Sequence, residues 1–170
     1  MPTPSPTNAL GYFNLYIQQV PETDVLLAFK NQLSIIEKVF NNITEATSTF
    51  AYAPGKWTLK EMLQHIIDTE RILSYRALCF ARGEQANLPG FEEDEYAKNS
   101  NANSRTWQSL TEEFLVIRKS IELLFSSFTS TTFVAIGTAN NNTISVNEIG
   151  LIIVGHFYHH HHVIQTKYLS

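Results

Sequence analysis

From Pro21 onward, apolar residues return every three or four positions. Phe29, Leu33, Ile36, Phe40 and Ile43 keep this spacing, with Lys30, Asn31 and Lys38 between them. This is the period of a helix with one apolar face, and it predicts a first helix ending near Asn41–Thr44. A second stripe runs through Leu59, Met62, Leu63, Ile66, Leu73, Ala77 and Phe80 and stops at Gly83. Its start is marked by TLKE (Thr58–Glu61), where hydroxyl and carboxylate have the spacing to satisfy each other's backbone N–H groups, and Pro54-Gly55 supplies the preceding turn. After Asn103 or Ser104 a third stripe takes in Trp107, Leu110, Phe114, Ile117, Ile121, Leu124 and Phe128. The same capping pattern recurs in SVNE (Ser145–Glu148) and opens a fourth helix whose apolar side is Val146, Ile149, Ile152, Ile153, Val163 and Ile164. Helices of this kind hide their stripes only against one another, so the pattern predicts an all-α fold, a four-helix bundle.

The segments between the helices are less regular. Residues 83–103 are polar, contain Pro89-Gly90 and show no lasting period, the mark of a long functional connection. TSTTFVAIGTANNNTI (residues 129–144) is β-prone and turn-rich, and reads as an extended crossover or a short hairpin before the last helix. Residues 1–20 begin Pro- and Ser-rich and turn aromatic, which predicts an extended N-terminal arm packing Tyr12, Phe13 and Tyr16 on the domain. The expected organisation is therefore an arm, 1–20, and one bundle domain, 21–170, with no internal repeat.

Composition narrows the function classes. The chain has 170 residues, 44% of them hydrophobic, enough for one core. Twelve basic residues against 16 acidic ones give a net charge of -4, and the basic residues are scattered, so neither nucleic acid nor a membrane surface is an expected partner. The start MPTPSPTNALGYF lacks the basic and apolar segments of a secretory signal, and no apolar run is long enough to span a bilayer. The single cysteine, Cys79, excludes an intrachain disulfide and, within LCFA, reads as a buried inert thiol. A cytoplasmic protein is expected.

The candidate chemistry lies in GHFYHHHHVIQ (Gly155–Gln165). A helix turns about 100° per residue, so with His156 at zero the apolar residues Ile149, Ile152, Ile153 and Val163 fall within about 60° on either side. His160 lies inside that sector, at about 40°, and His159 at its edge, at about −60°. His161 and His162 point away, at about 140° and −120°, and are expected in solvent. His156 and His160 thus form an inward i,i+4 pair. Such a pair can direct two nitrogens at one metal ion, or each ring can be a core histidine with its own hydrogen-bond partner. The one histidine outside the run is His65, in LQHIIDTERI, beside the second helix's stripe and about 100° from Ile66.

Several blocks resemble the DinB/YfiT family of metalloenzymes: KWTLKEMLQHIIDTERILSYRALCFARGE, LPGFEEDEY, SRTWQSLTEEF, and GTANNNTISV followed by GHxxHH. They occur in family order over most of residues 12–169. The resemblance implies an up-down-down-up four-helix bundle, often a homodimer, binding a divalent ion, nickel or zinc, through one histidine of the second helix and two of the last. By position these are His65, His156 and His160. Phe157 departs from the polar or acidic residue common after the first histidine of the last helix, and His161 and His162 are additions.

Three neutral imidazoles leave a divalent ion its full charge and an open position, which suits activation of water or ionisation of a thiol. The resemblance accordingly implies a metal-dependent hydrolase or a thiol S-transferase working with a low-molecular-weight thiol on a small-molecule substrate; a non-catalytic metal-binding or metal-stabilised bundle is the alternative. HExxH is absent, which argues against a metallopeptidase. Asp68 is preferred over Glu61, which the cap can occupy, as the carboxylate that orients His65 or acts as a base. Glu70 falls within the second helix's apolar stripe, where an ion pair with an Arg or Lys of another helix is favoured over a catalytic acid. Glu92, Glu93, Asp94 and Glu95 read as solvated, with a lid over the metal as the lesser reading.

Overall fold

The computed structural model describes residues 9–169, with the backbone alone at 9, 10 and 12. Eight helices and a hairpin follow in order: α1 (Ala9–Ile17), α2 (Val25–Asn41), α3 (Glu45–Ser48), α4 (Leu59–Ala81), α5 (Glu93–Asn99), α6 (Trp107–Ser126), α7 (Ser130–Phe133), β1 (Ile136–Ala139), β2 (Asn142–Ser145) and α8 (Val146–Val163). The long helices α2, α4, α6 and α8 are the four predicted ones. Each starts on a side chain that accepts from its first turn: Asp24, Thr58, Thr106 and Ser145. Thr58/Glu61 and Ser145/Glu148 are both complete reciprocal caps. Caps of this type contribute about 1 kcal/mol each.

Contacts at the helix ends fix their directions. Trp107 Nε1 at the start of α6 donates to the Phe40 carbonyl at the end of α2, so these two run antiparallel. Lys60 Nζ at the start of α4 donates to the Arg105 carbonyl just before α6, so α4 and α6 are parallel. The Tyr168 hydroxyl, beyond the end of α8, donates to the Trp57 carbonyl before α4, making that pair antiparallel. Gly150 near the start of α8 lies against Val25 at the start of α2. The bundle is therefore up-down-down-up. Two consecutive parallel helices need a long return, and residues 82–106 supply it, with α5 folded back along α4.

The second crossover is the short hairpin. β1 and β2 pair from Ile136↔Ser145 to Ala139↔Asn142, joined by Asn140 and Asn141 at φ 49° and 60°. Asparagine tolerates this left-handed backbone, which matches the twist of a two-residue hairpin. Leu88 bonds to the hairpin through its N–H to Thr138 and its carbonyl from Asn140, tying the two long connections together.

Three expectations are corrected. The arm is not extended where it is described: Ala9–Ile17 forms α1, which packs along α8 with Tyr16 buried and Phe13 half-buried. Its aromatic residues repeat at helical spacing, and the proline-rich start conceals this. Residues 1–8 and the side chain of Tyr12 lie outside the described residues. On α2 the stripe is turned slightly from the predicted one, with Leu33 exposed and its neighbour Gln32 fully buried, because Gln32 is bonded on both sides by the core. Cys79 is half-buried rather than enclosed.

The core contains one polar network that spans all four long helices. Glu70 of α4 and Arg118 of α6 form a paired contact, with Nε to Oε2 at 3.1 Å and Nη2 on Oε1. Arg118 Nη1 donates to Gln32 Oε1 of α2 at 2.6 Å, and Gln32 Nε2 donates to the Val154 carbonyl of α8 at 2.8 Å. The guanidinium also lies over the rings of Phe29, Phe114 and Phe157. Glu70 thus takes the expected place in an inter-helix ion pair.

Candidate metal centre

α4 and α8 pack closely along their length and carry the three histidines to one point. His156 Nε2 lies 3.1 Å from His65 Nε2 and 3.0 Å from His160 Nε2. All three residues are buried, His65 at 3% exposure despite its flanking position on the helical wheel, because α8 covers that flank of α4. Two nitrogens each about 2.0–2.1 Å from one tetrahedral ion stand about 3.4 Å apart, so the observed separations are close to those of a shared ligand set.

The donor chemistry fits an ion better than it fits hydrogen bonding. Burial, reinforced by His159, pulls the His65 pKa down to about 4. Burial pushes His156 and His160 well below 6.5, helped by the neighbouring imidazoles. The rings are therefore neutral at physiological pH, each with a lone pair. An imidazole nitrogen presents one in-plane direction, either an N–H or a lone pair. His156 Nε2 cannot serve both neighbours well by hydrogen bonding, whereas one cation between the three nitrogens satisfies them all. The Nδ1 atoms of His156 and His160 are buried and have no hydrogen-bond partner among the described residues, so neither ring is the self-satisfied core histidine of the alternative reading.

Residues that the sequence does not connect with the histidines hold these rings. Trp57 lies over His65 with ring centroids 4.8 Å apart, and its carbonyl accepts the Tyr168 hydroxyl at 2.6 Å. Tyr16 of α1 meets His156 and His159 edge-on, at 5.3 and 5.5 Å. This close packing is possible because position 155 is glycine: a Cβ there would come within 2.1 Å of the Tyr16 carbonyl oxygen. The sequence carries a local signal for Trp57, an aromatic residue immediately before a helix cap, but nothing that pairs it with His65.

The remaining candidates fall away from the centre. Asp68 accepts from Gln64 Nε2 at 2.9 Å, and among the described residues no hydrogen bond joins it to His65. Burial raises its pKa. Glu61 is engaged in its cap, donated to by the Thr58 N–H at 2.8 Å. Glu92, Glu93, Asp94 and Glu95 are exposed. In the histidine run His162 is exposed as expected, His159 is half-buried, and His161 departs from expectation: it is half-buried, with its ring nearly parallel to that of Phe157.

Fold and site together define a four-helix bundle with a buried three-histidine cluster shared between its second and fourth long helices. The chain belongs to the DinB superfamily, whose family model matches residues 28–164. Among solved structures it is similar to YfiT from Bacillus subtilis, described as a probable metal-dependent hydrolase with an unusual four-helix bundle topology. That match has a TM-score of 0.66 at 14% identity and covers 96% of this chain and 89% of the other. No curated protein matches the chain. Among the described residues no helix is long and apolar enough to cross a membrane.

Proposed function

We propose that His65, His156 and His160 bind one divalent ion, zinc or nickel, and that the protein uses it as a metal-dependent enzyme on a small-molecule substrate, of hydrolase type or transferring a thiol. The observation that carries this reading is the meeting of three neutral, buried Nε2 atoms from two helices with no carboxylate among them. Such an ion, held by uncharged ligands, supplies Lewis-acid activation of water or a thiol at neutral pH. The description of YfiT as a probable metal-dependent hydrolase supports water as the activated group.

This chain's own residues set the conditions. Trp57 and Tyr16 fix the ring planes of His65 and His156 and exclude water from their flanks. His159 is half-buried beside the centre, its ring centroid 5.2 Å from that of His160. The test uses tag-free protein purified without a metal column, since the outward end of the histidine run would itself retain nickel. A stoichiometric ion that persists in His161→Ala/His162→Ala and disappears in His156→Ala is expected. Undiminished metal in His156→Ala overturns the assignment, and metal without turnover of any ester, amide or thiol-electrophile pair restricts the protein to binding.

A further inference from the structure

Three cations are buried among the described residues: Lys60, Arg76 and Arg118. Lys60 has Glu45 and Arg118 has Glu70. Arg76, 7% exposed, has no carboxylate within ion-pair reach among the described residues, and its hydrogen bond is a single one, from Nη2 to the Pro89 carbonyl at 2.7 Å. A guanidinium has five N–H donors and is rarely buried unless paired. Burial accordingly lowers the pKa of Arg76, with no counter-charge to oppose it.

The surroundings of Arg76 have the shape of a binding site. It lines a cleft of about 280 Å³ between α4 and the connection that follows, walled by Tyr75, Leu88, Pro89, Phe91 and Tyr96. Tyr75 and Tyr96 are 58% and 48% exposed and form an open rim, and the Phe91 and Tyr96 rings stand 5.2 Å apart. A buried cation with most of its donors idle, beside an aromatic cleft, lacks only an acceptor with negative charge. The parallel N–H pairs of arginine match the two oxygens of a carboxylate or phosphate.

We propose that this cleft binds a small organic anion, a carboxylate or phosphate monoester on a planar apolar body, with its charged end on Arg76 and its body between Tyr75, Phe91 and Tyr96. Arg76 follows His65 by about 16 Å of helix rise, so the anion site and the histidine cluster are separate features of one helix. The proposal therefore stands apart from the metal assignment.

The test is an NMR titration of isotopically labelled protein with benzoate, phenyl phosphate and the neutral benzyl alcohol at constant ionic strength. The expected result is saturable shifts of the Tyr75, Gly90 and Tyr96 amide signals with at least one anion and none with the alcohol. The tighter of the two anions names the preferred headgroup. Arg76→Gln should weaken binding at least tenfold. Tyr96→Ala, at a side chain 48% exposed on the rim, should weaken it severalfold, while His156→Ala leaves it unchanged. Equal binding of benzyl alcohol, absence of shifts with both anions, or full affinity in Arg76→Gln or Tyr96→Ala overturns the proposal.

Discussion

The bundle buries two polar clusters within two helical turns of each other, and they are built on opposite principles. In Glu70–Arg118–Gln32–Val154, residues of four helices, charge meets counter-charge and the donors of Arg118 and Gln32 end on acceptors from the other helices. In His65–His156–His160, three like atoms face one another and two Nδ1 atoms have no partner among the described residues. Both clusters are costly to bury. The first offsets that cost with partners inside the protein, and the second leaves donor atoms that a divalent ion would fit. A buried polar group is thus informative about function when its partners fail to close, not merely because it is buried.

This contrast can be broken most sharply at the closed cluster. Arg118→Met leaves Glu70 in the core without its counter-ion and Gln32 Oε1 without its donor, and urea unfolding should show a loss of about 3–5 kcal/mol. Glu70→Leu/Arg118→Met together should recover most of it, because apolar groups of similar size replace a pair whose desolvation nearly cancels its attraction. If the double variant is as unstable as the single one, the cluster is not self-contained.

The open cluster should behave the other way. Metal at 100 times its Kd should stabilise the native protein by about 2.7 kcal/mol, read as a higher melting temperature that a chelator removes. His156→Ala should abolish that increment while changing the metal-free protein far less than Arg118→Met does. In the metal-free protein, acid should also act here. The folded pKa of His65, about 4, lies below its ordinary 6.5, so between these values the unfolded chain binds more protons. Stability is then fully present above pH 6.5 and falls toward pH 4, with a slope of at most about 1.4 kcal/mol per pH unit for this group. Thermal melts across that window check the sign, and loss of stability on raising the pH would contradict it.

A smaller effect concerns the scaffold around the centre. Tyr168→Phe removes the hydrogen bond to the Trp57 carbonyl and should cost about 0.5–1.5 kcal/mol. Because Trp57 lies over His65, the same change should weaken metal binding in a competition titration with a chelating dye, leaving bound stoichiometry intact.

Much of this was legible along the chain because it depends on local rules. The four stripes and the two reciprocal caps involve residues within a few turns of one another, and the inward pair His156/His160 follows from helical angle alone. Glu70 was legible as an anomaly, a carboxylate within an apolar stripe. Its partners were not: nothing local marks Arg118 or Gln32 as core residues, since each looks like ordinary surface until another helix supplies its counterpart. The same holds for Trp57 and Tyr16, whose contacts with the histidines arise only when segments distant in sequence pack together. Arg76 was hidden for a different reason: a single arginine carries no pattern, and its isolation is visible only once the carboxylates around it can be placed.

Gly155 gives the first helix a standing that its place at the edge of the chain would not suggest. With no room for even a methyl group between α8 and the Tyr16 backbone, the register of α1 is locked to the residue next to His156. α1 precedes the span matched by the family model, yet it is a wall of the histidine pocket rather than an appendage. A change that removes α1 would uncover the flank of His156 and His159 that Tyr16 covers.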